Sequence, residues 1–267
     1  MIRPAVPGDY DAVAILTQQL GVDDPVPAFD AWARHHMSQV RVYERDGAVL
    51  GYTNTQRLAT AGHVLHLVVA EQVRRSGIGL ALMQEVAARL VANGIAEWHL
   101  NVKADNAPAI GIYERLGMRP QYRTVVVRVR WDAALPEDSA AVVAGIVAPD
   151  DDAEIERTFG LLAGRLAVQR SRTERVLLAL REAGAVVGVA ILNPSLGCMP
   201  FRVARPTLAA ALLRAVRPYA PSDWTELQLV VENDDALADV LAAAGVHLKL
   251  RLIHYAGQTS YSVAACQ

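Results

Sequence analysis

Residues 74–79 read Arg74-Arg75-Ser76-Gly77-Ile78-Gly79, two cations, a hydroxyl and a spaced glycine pair. They stand between an apolar run at 64–69 and a stretch at 80–91 with helical spacing. A strand that turns through glycines into a helix gathers several backbone N–H groups at one point, and the helix dipole adds positive potential there. Such a turn suits a phosphate group. Gly77 and Gly79 are expected to let the backbone approach a ligand closely, because no Cβ intervenes and positive φ is open to them. Arg74 and Arg75 can add charge-assisted contacts. The run fits neither common phosphate loop, since one ends in Gly-Lys-Ser/Thr and the other needs Gly-x-Gly-x-x-Gly.

A second constellation follows within thirty residues. Asn93-Gly94 supplies a helix stop, and 96–102 reads as a strand. Asn106 is then a good N-cap, Pro108 sits in the first turn, and the helix runs on to Gly117. Asn106, Ala109, Tyr113 and Gly117 fall at helical spacing on one side. Two consecutive strand-to-helix units thus aim two helix N-termini at one sheet edge.

On these residues the chain resembles the GNAT superfamily, the acyl-CoA-dependent N-acyltransferases. Arg74-x-x-Gly77-x-Gly79 looks like their pyrophosphate motif, and Asn106-x-x-Ala109-x-x-x-Tyr113-x-x-x-Gly117-Met118 looks like their second cofactor motif. The stretch 94–118 is most similar to the ribosomal-protein N-terminal alanine acetyltransferases, and the resemblance covers about residues 1–131. It implies acetyl-CoA as co-substrate, with Leu67, Val68 and Val69 holding the pantetheine arm through their backbone. The cofactor set it implies also includes Arg74, Arg75, Ser76, Gly77, Ile78, Gly79, Asn101, Asn106, Ala109, Ile112 and Tyr113. It further implies that Tyr113 protonates the departing thiolate. The chemistry agrees, because a phenol near pKa 10 within reach can give its proton to a thiolate of pKa about 8.5 as it leaves.

The two cysteines, Cys198 and Cys266, lie outside the half that carries the loop, so no acyl-cysteine nucleophile is available there. Direct attack by the acceptor amine follows, with both substrates held at once. The proton acceptor is less plain. Members of the most similar branch often carry a glutamate where Asn101 stands, and an amide takes no proton at neutral pH. His63 is the first substitute, because the alternation 63, 65, 67 puts it on the face where a base is expected. His66 points the other way unless a bulge intervenes, and His99 shares a face with Asn101. Deprotonating an α-ammonium at pH 7 costs about 1 kcal/mol and a lysine about 4.6, so a site without a strong base favours the weaker amine.

The elements that must position these residues belong to an α/β (α+β) chain of 267 residues with 52% hydrophobic content. We expect two tandem GNAT-like domains, each a mixed, mostly antiparallel twisted sheet flanked by helices, at 1–131 and 140–267. The second half repeats the first. Residues 5–12 match 146–153 at an offset of 141, the turn at Gly47 matches Gly184 at 137, and Gly117 matches Gly245 at 128. From 137 at Gly47 the offset falls to 129 at the Glu97–Glu226 match, so eight residues are lost around the counterpart of the phosphate loop, which reads Phe201-Arg202-Val203-Ala204-Arg205-Pro206 without a glycine pair. Leu241 replaces Tyr113. The second domain therefore reads as a degenerate copy without the CoA motif, packed as a pseudo-dimer partner, with a further homodimer open.

A net charge of −2 gives no footprint for nucleic acid or an anionic membrane. No apolar run approaches 18 residues and the first residues form no signal core, so a cytoplasmic protein is expected. His35-His36 has no companion ligands, and no metal is expected. The acceptor, a small-molecule amine or a peptide N-terminus, is expected against residues 20–40, where Asp23, Asp24 and Asp30 attract a cation and Trp32 shapes a wall. The alternative is a non-catalytic acyl-CoA sensor.

Overall fold

The structure, a computed structural model, describes residues 1–22 and 25–260; Asp23, Asp24 and Cys266 lie outside the described residues. Among the described residues twelve strands and eight α-helices follow one another. The first half holds β1 (Ile2–Pro4), α1 (Tyr10–Gln18), α2 (Phe29–His35), β2 (Val40–Arg45), β3 (Ala48–Arg57), β4 (Ala61–Val69), α3 (Ile78–Ala92), β5 (Glu97–Lys103), α4 (Ala107–Arg115) and β6 (Arg119–Arg130). The second holds β7 (Val142–Ile146), α5 (Asp152–Thr158), α6 (Arg165–Arg170), β8 (Val176–Glu182), β9 (Ala185–Asn193), β10 (Gly197–Val203), α7 (Ala209–Val216), β11 (Glu226–Glu232), α8 (Asp235–Ala243) and β12 (His247–Gln258). Each half is a mixed α/β unit whose sheet is mostly antiparallel.

In the first unit the strands run in the order β1-β2-β3-β4-β5, followed by the end of β12. Only a parallel step, β4 to β5, breaks the antiparallel series among β1–β5. Helix α3 buries Ile78, Leu82, Val86 and Leu90, a stripe at four-residue spacing, together with Met83 and Ala87. It lies so close to the sheet that a Cβ on Gly62 would come within 2.5 Å of Leu90 Cδ1. Helices α1 and α2 cover the opposite face, where Val13, Leu16 and Trp32 pack with Val42, Tyr52 and Val68.

The second unit repeats this plan in the order β6-β11-β10-β9-β8-β7. Its hairpin turn at Ala183-Gly184 has φ of 48° and 88°, matching 53° and 76° at Asp46-Gly47. Asn106 and Asp234 cap α4 and α8 alike, accepting hydrogen bonds from the backbone of Ala109 and Leu237. The first match needs a correction of one residue. The turn Pro7–Asp9 before α1 corresponds to Pro149–Asp151 before α5, an offset of 142 rather than 141. The lost residues also spread beyond the loop. The connection before the helix shrinks from eight residues (70–77) to five (204–208), and α7 has 8 residues against 15 in α3.

The two compact units are Met1–Gln121 with the chain from Tyr255 onward, and Tyr122–His254. The expected boundaries at 131 and 140 therefore shift into the strands β6 and β12. The cause is the destination of those strands: β6 pairs with β11 from Thr124↔Glu232 to Arg130↔Glu226, whereas the last residues of β12 join the first unit. Either strand is apolar enough to suit either sheet, so composition carries no sign of this. Among the described residues no helix is long and apolar enough to cross a membrane.

Candidate active site

The N-terminus of α3 is the first component. Gly77 is its N-cap at φ 87°, in the left-handed region, and no side chain caps the helix. The free N–H groups of this first turn remain available to an anion, whereas in α4 and α8 the side chains of Asn106 and Asp234 each occupy one, at Ala109 and Leu237. A Cβ on Gly77 would meet nothing within 4 Å, so the approach is open. Arg74, Arg75, Ser76 and Gly77 are exposed, while Ile78 is buried and anchors the turn. Arg75 also takes positive φ, at 65°. Ser76 Oγ donates to the Val73 carbonyl at 2.6 Å, and Arg74 Nε donates to the Val69 carbonyl at 3.2 Å.

Gly79 has a different reason from the one its sequence suggests. Its φ is not positive, and an added Cβ would stand 3.1 Å from Ile112 Cδ1 and 3.6 Å from Val69 Cγ2. It lets α3 seat against α4 and β4. Ile112 thus sets the distance between the two helices whose N-termini carry Gly77 and Asn106.

The second component is a gap in the sheet. β5 pairs with β4 from Ala61↔Glu97 to Val64↔Leu100, and there the pairing stops. The β3–β4 register shifts at the same place: Thr55 opposes Val64 and Asn54 opposes His66, so Leu65 is an extra residue. This bulge bends β4 away from its neighbour. Leu67, Val68 and Val69 lie beyond it on one side of the gap, and Asn101 lies beyond it on the other.

The bulge also corrects the expected faces. Through Leu65, His63 and His66 both share the face of Tyr52, Asn54, Gln56 and Val68, whereas Leu67 and Val69 turn toward α3. The alternation 63, 65, 67 is broken. His63 is buried and stands in register with His99 of β5. Burial lowers the His99 pKa, against a partial opposing pull from Glu97. Lys103, on the same face, closes the strand end by donating from Nζ to the carbonyls of Leu20 and Gly21 at 2.9 and 2.6 Å.

His66 belongs to a short chain of hydrogen bonds. Thr17 Oγ1 donates its only proton to the Val13 carbonyl at 2.7 Å. The Tyr52 hydroxyl, 2.7 Å from Thr17 Oγ1, must therefore donate to it. Tyr52 then accepts from His66 Nδ1 at 2.9 Å, which fixes the proton of the neutral ring on Nδ1 and leaves a lone pair on Nε2. Burial pushes the Tyr52 phenol well above its usual pKa and pulls His66 down to about 4. His66, Tyr52, Asn54 and Thr17 line a cavity of about 30 Å³ with Tyr10, Trp32 and His36. That is room for a water or two. The expected acceptor wall at Trp32 is part of this cavity, and the residue is buried with Tyr10 and Phe29 around it. The Tyr52–His66 pair escaped the sequence reading because only the bulge brings it to this face.

Tyr113 is the third component. It lies on α4 one residue after Ile112, 6% exposed, with the Tyr255 ring 6.3 Å away and tilted. Burial raises its pKa well above the ordinary phenol, so it holds its proton at neutral pH. Ala109 is half-buried on the same helix. In the second unit the equivalent of the loop is closed. Pro206 opens a 3-10 turn, Arg205 is tied to Asp138 and to Glu182 at 2.9 Å, and Leu241 stands in place of Tyr113. Among the described residues no group of three or more His, Cys, Asp or Glu side chains is placed to hold a metal ion.

The acetyltransferase (GNAT) family model matches residues 11–118. An N-alpha-acetyltransferase of Sulfurisphaera tokodaii is 38% identical over 91 residues, 29% of this chain and 54% of the relative. The chain thus spans about half the length of that curated relative. A GCN5-related N-acetyltransferase from Sphaerobacter thermophilus superposes with a TM-score of 0.66 at 21% identity, over 97% of this chain and 95% of the other. A tandem GNAT protein from the clavulanic acid biosynthesis pathway does so with a TM-score of 0.58 at 16% identity, over 97% and 98%. These two show that the fold is shared over nearly the whole chain, and the match to the acetyltransferase (GNAT) family model lies in the half that carries the loop.

Proposed function

We propose that the first unit is an N-acetyltransferase that moves an acetyl group from acetyl-CoA to a primary amine, either a small molecule or a peptide N-terminus. The observation that carries this reading is the uncapped first turn of α3 opening beside the place where β4 and β5 part. The diphosphate of the co-substrate fits the N–H groups from Gly77 to Gly79, with Arg74 and Arg75 beside them. Leu67, Val68 and Val69 offer backbone groups to the pantetheine arm, and Asn101, Asn106, Ala109 and Ile112 border it.

The amine enters from the α1–α2 face. Its nitrogen attacks the thioester carbonyl carbon, the C–N bond forms and the C–S bond breaks. Tyr113 gives its proton to the departing sulfur. The nitrogen must also lose a proton, and we assign the acceptor to His66 Nε2 rather than to the first candidate, His63. A ring held near pKa 4 is too weak to deprotonate a free ammonium, a transfer uphill by about 5 kcal/mol even from an α-amine. It suffices for the far more acidic nitrogen that has already bonded to carbon. The free amine therefore sheds its first proton to solvent, which favours acceptors of low pKa.

Thiol release from acetyl-CoA across a panel of amines tests the reading. Tyr113→Phe should lower kcat by roughly 10²- to 10⁴-fold with acetyl-CoA binding retained. Release that is untouched by this substitution removes the acid assignment. A second reading rests on Asn101, which leaves the gap without a carboxylate: the unit would bind acyl-CoA and sense it. Saturable binding without release on any amine favours that reading.

A further inference from the structure

We propose a second binding site, in the second unit, where the guanidinium groups of Arg165, Arg172, Arg175 and Arg202 receive a carboxylate or phosphoryl group of a small molecule. Arg165 and Gln169 sit one turn apart on α6, and both are buried. The chain then folds back on itself, with Arg172 N donating to the Gln169 carbonyl at 3.2 Å and Arg175 N to the Arg172 carbonyl at 3.0 Å. Arg202 comes from β10, opposite Val189 of β9, on the face that packs Ile155 and Leu166. Arg165, Arg172 and Arg202 are 6, 9 and 8% exposed.

Carboxylates do not match these cations. Glu232, 1% exposed, reaches Arg165 at 3.5 Å. Glu174 stands 4.0 Å from Arg175 and is half in solvent. Glu156 is spent on the backbone N–H groups of Gly164 and Leu166. Arg202 Nε, Arg175 Nε and Thr124 Oγ1 are buried without a hydrogen-bond partner, and Thr124 stands in register with Glu232. Burial pulls Arg175 down to about 10, and the charges of Arg172 and Arg165 add to this against Glu174. Guanidinium forks suit planar or tetrahedral oxyanions, and one bound oxyanion would satisfy the orphaned donors and the surplus charge together. In register, Arg202 occupies the place of Val68 in the first unit, so the repeat that lost its loop has lined the corresponding face with cations.

Thermal unfolding of the full chain with inorganic phosphate or succinate, at ionic strength held constant with sodium chloride, tests the proposal. The midpoint should rise by several degrees with one of the two probes. Phosphate acting at lower concentration identifies a phosphoryl ligand, and succinate a carboxylate. Arg202→Gln and Arg172→Gln should flatten the response, while Arg45→Gln, which removes an exposed cation at the end of β2, should leave it. If Arg202→Gln fails to fold, Arg172→Gln, on the turn after α6, decides alone. No rise beyond the chloride control overturns the site. So does a rise that survives the arginine substitutions of the second unit, or one that Arg45→Gln abolishes.

Discussion

At the scale of single residues, the tautomer of His66 ties function to stability. The ring beside the Thr17–Tyr52 pair stays neutral because it is buried, and a second ring proton on Nε2 would sit in a cavity with no carboxylate among its described lining residues. Burial lowers the folded-state pKa to about 4 from 6.5, so between these values the unfolded chain binds more protons than the folded one. Stability then rises with pH across that window: the neutral-ring contribution is complete above about 6.5 and is lost as pH falls to 4. The shift corresponds to at most about 3 kcal/mol, less where water reaches the ring. Lowered by burial as well, His99 adds in the same direction. Urea unfolding at pH 7, 5.5 and 4.5 should show the first unit weakening as pH drops, and His66→Gln should flatten the trend. An equal slope in the variant would place the acid sensitivity elsewhere.

At the scale of elements, the two capped helices allow a paired comparison. Asn106 Oδ1 accepts from Ala109 N at 3.3 Å, and Asp234 Oδ1 accepts from Leu237 N at 2.9 Å. Each cap contributes about 1 kcal/mol, and the shorter, charged one at Asp234 is the stronger. Asn106→Ala and Asp234→Ala should lower stability by about that amount each, with the larger loss at Asp234, in equilibrium denaturation. A larger loss at Asn106 would mean that the side chain holds more than the helix end. The Asn106 cap was legible in the sequence, as were the glycine turn before α3 and the repeat, because each depends on a local spacing; the Asp234 cap was not singled out. His66 was not. One inserted residue, Leu65, decides which face it joins, and a bulge forms where β4 must leave β5, a tertiary event. Gly79 was recognised but for another reason, since its neighbour Ile112 is 33 positions away in sequence. The four arginines of the second unit were equally silent, being spread from 165 to 202 and gathered only by the turn after α6.

At the scale of the molecule, the compact units do not follow the repeats, and this has a direct consequence for dissection. The first repeat ends at residue 131, yet its unit is completed from the far end of the chain. Thr259 N donates to the Ala96 carbonyl at 2.8 Å, Thr259 Oγ1 to the Ile95 carbonyl at 2.8 Å, and the Tyr255 hydroxyl to Glu114 at 3.2 Å. Gly257 lies so near Met118 and Trp98 that a Cβ there would come within 3.1 Å of both, and those two side chains are fully buried. A fragment of residues 1–131 therefore exposes Trp98 and Met118 and leaves the β5 edge unpaired, a template for self-association. Burial of a large apolar side chain is worth about 1.5–3 kcal/mol, so loss of two such contacts is comparable to the stability of a small domain. Expressed alone, this fragment should lose its near-ultraviolet dichroism or aggregate, although it carries the whole loop and Tyr113. Adding residues 247–267 back as a separate peptide should restore the fold in part, because the peptide supplies the missing edge. A fragment 1–131 that is monomeric and cooperatively folded would show that β5 needs no such partner, and that the repeat rather than the exchanged strand defines the folding unit.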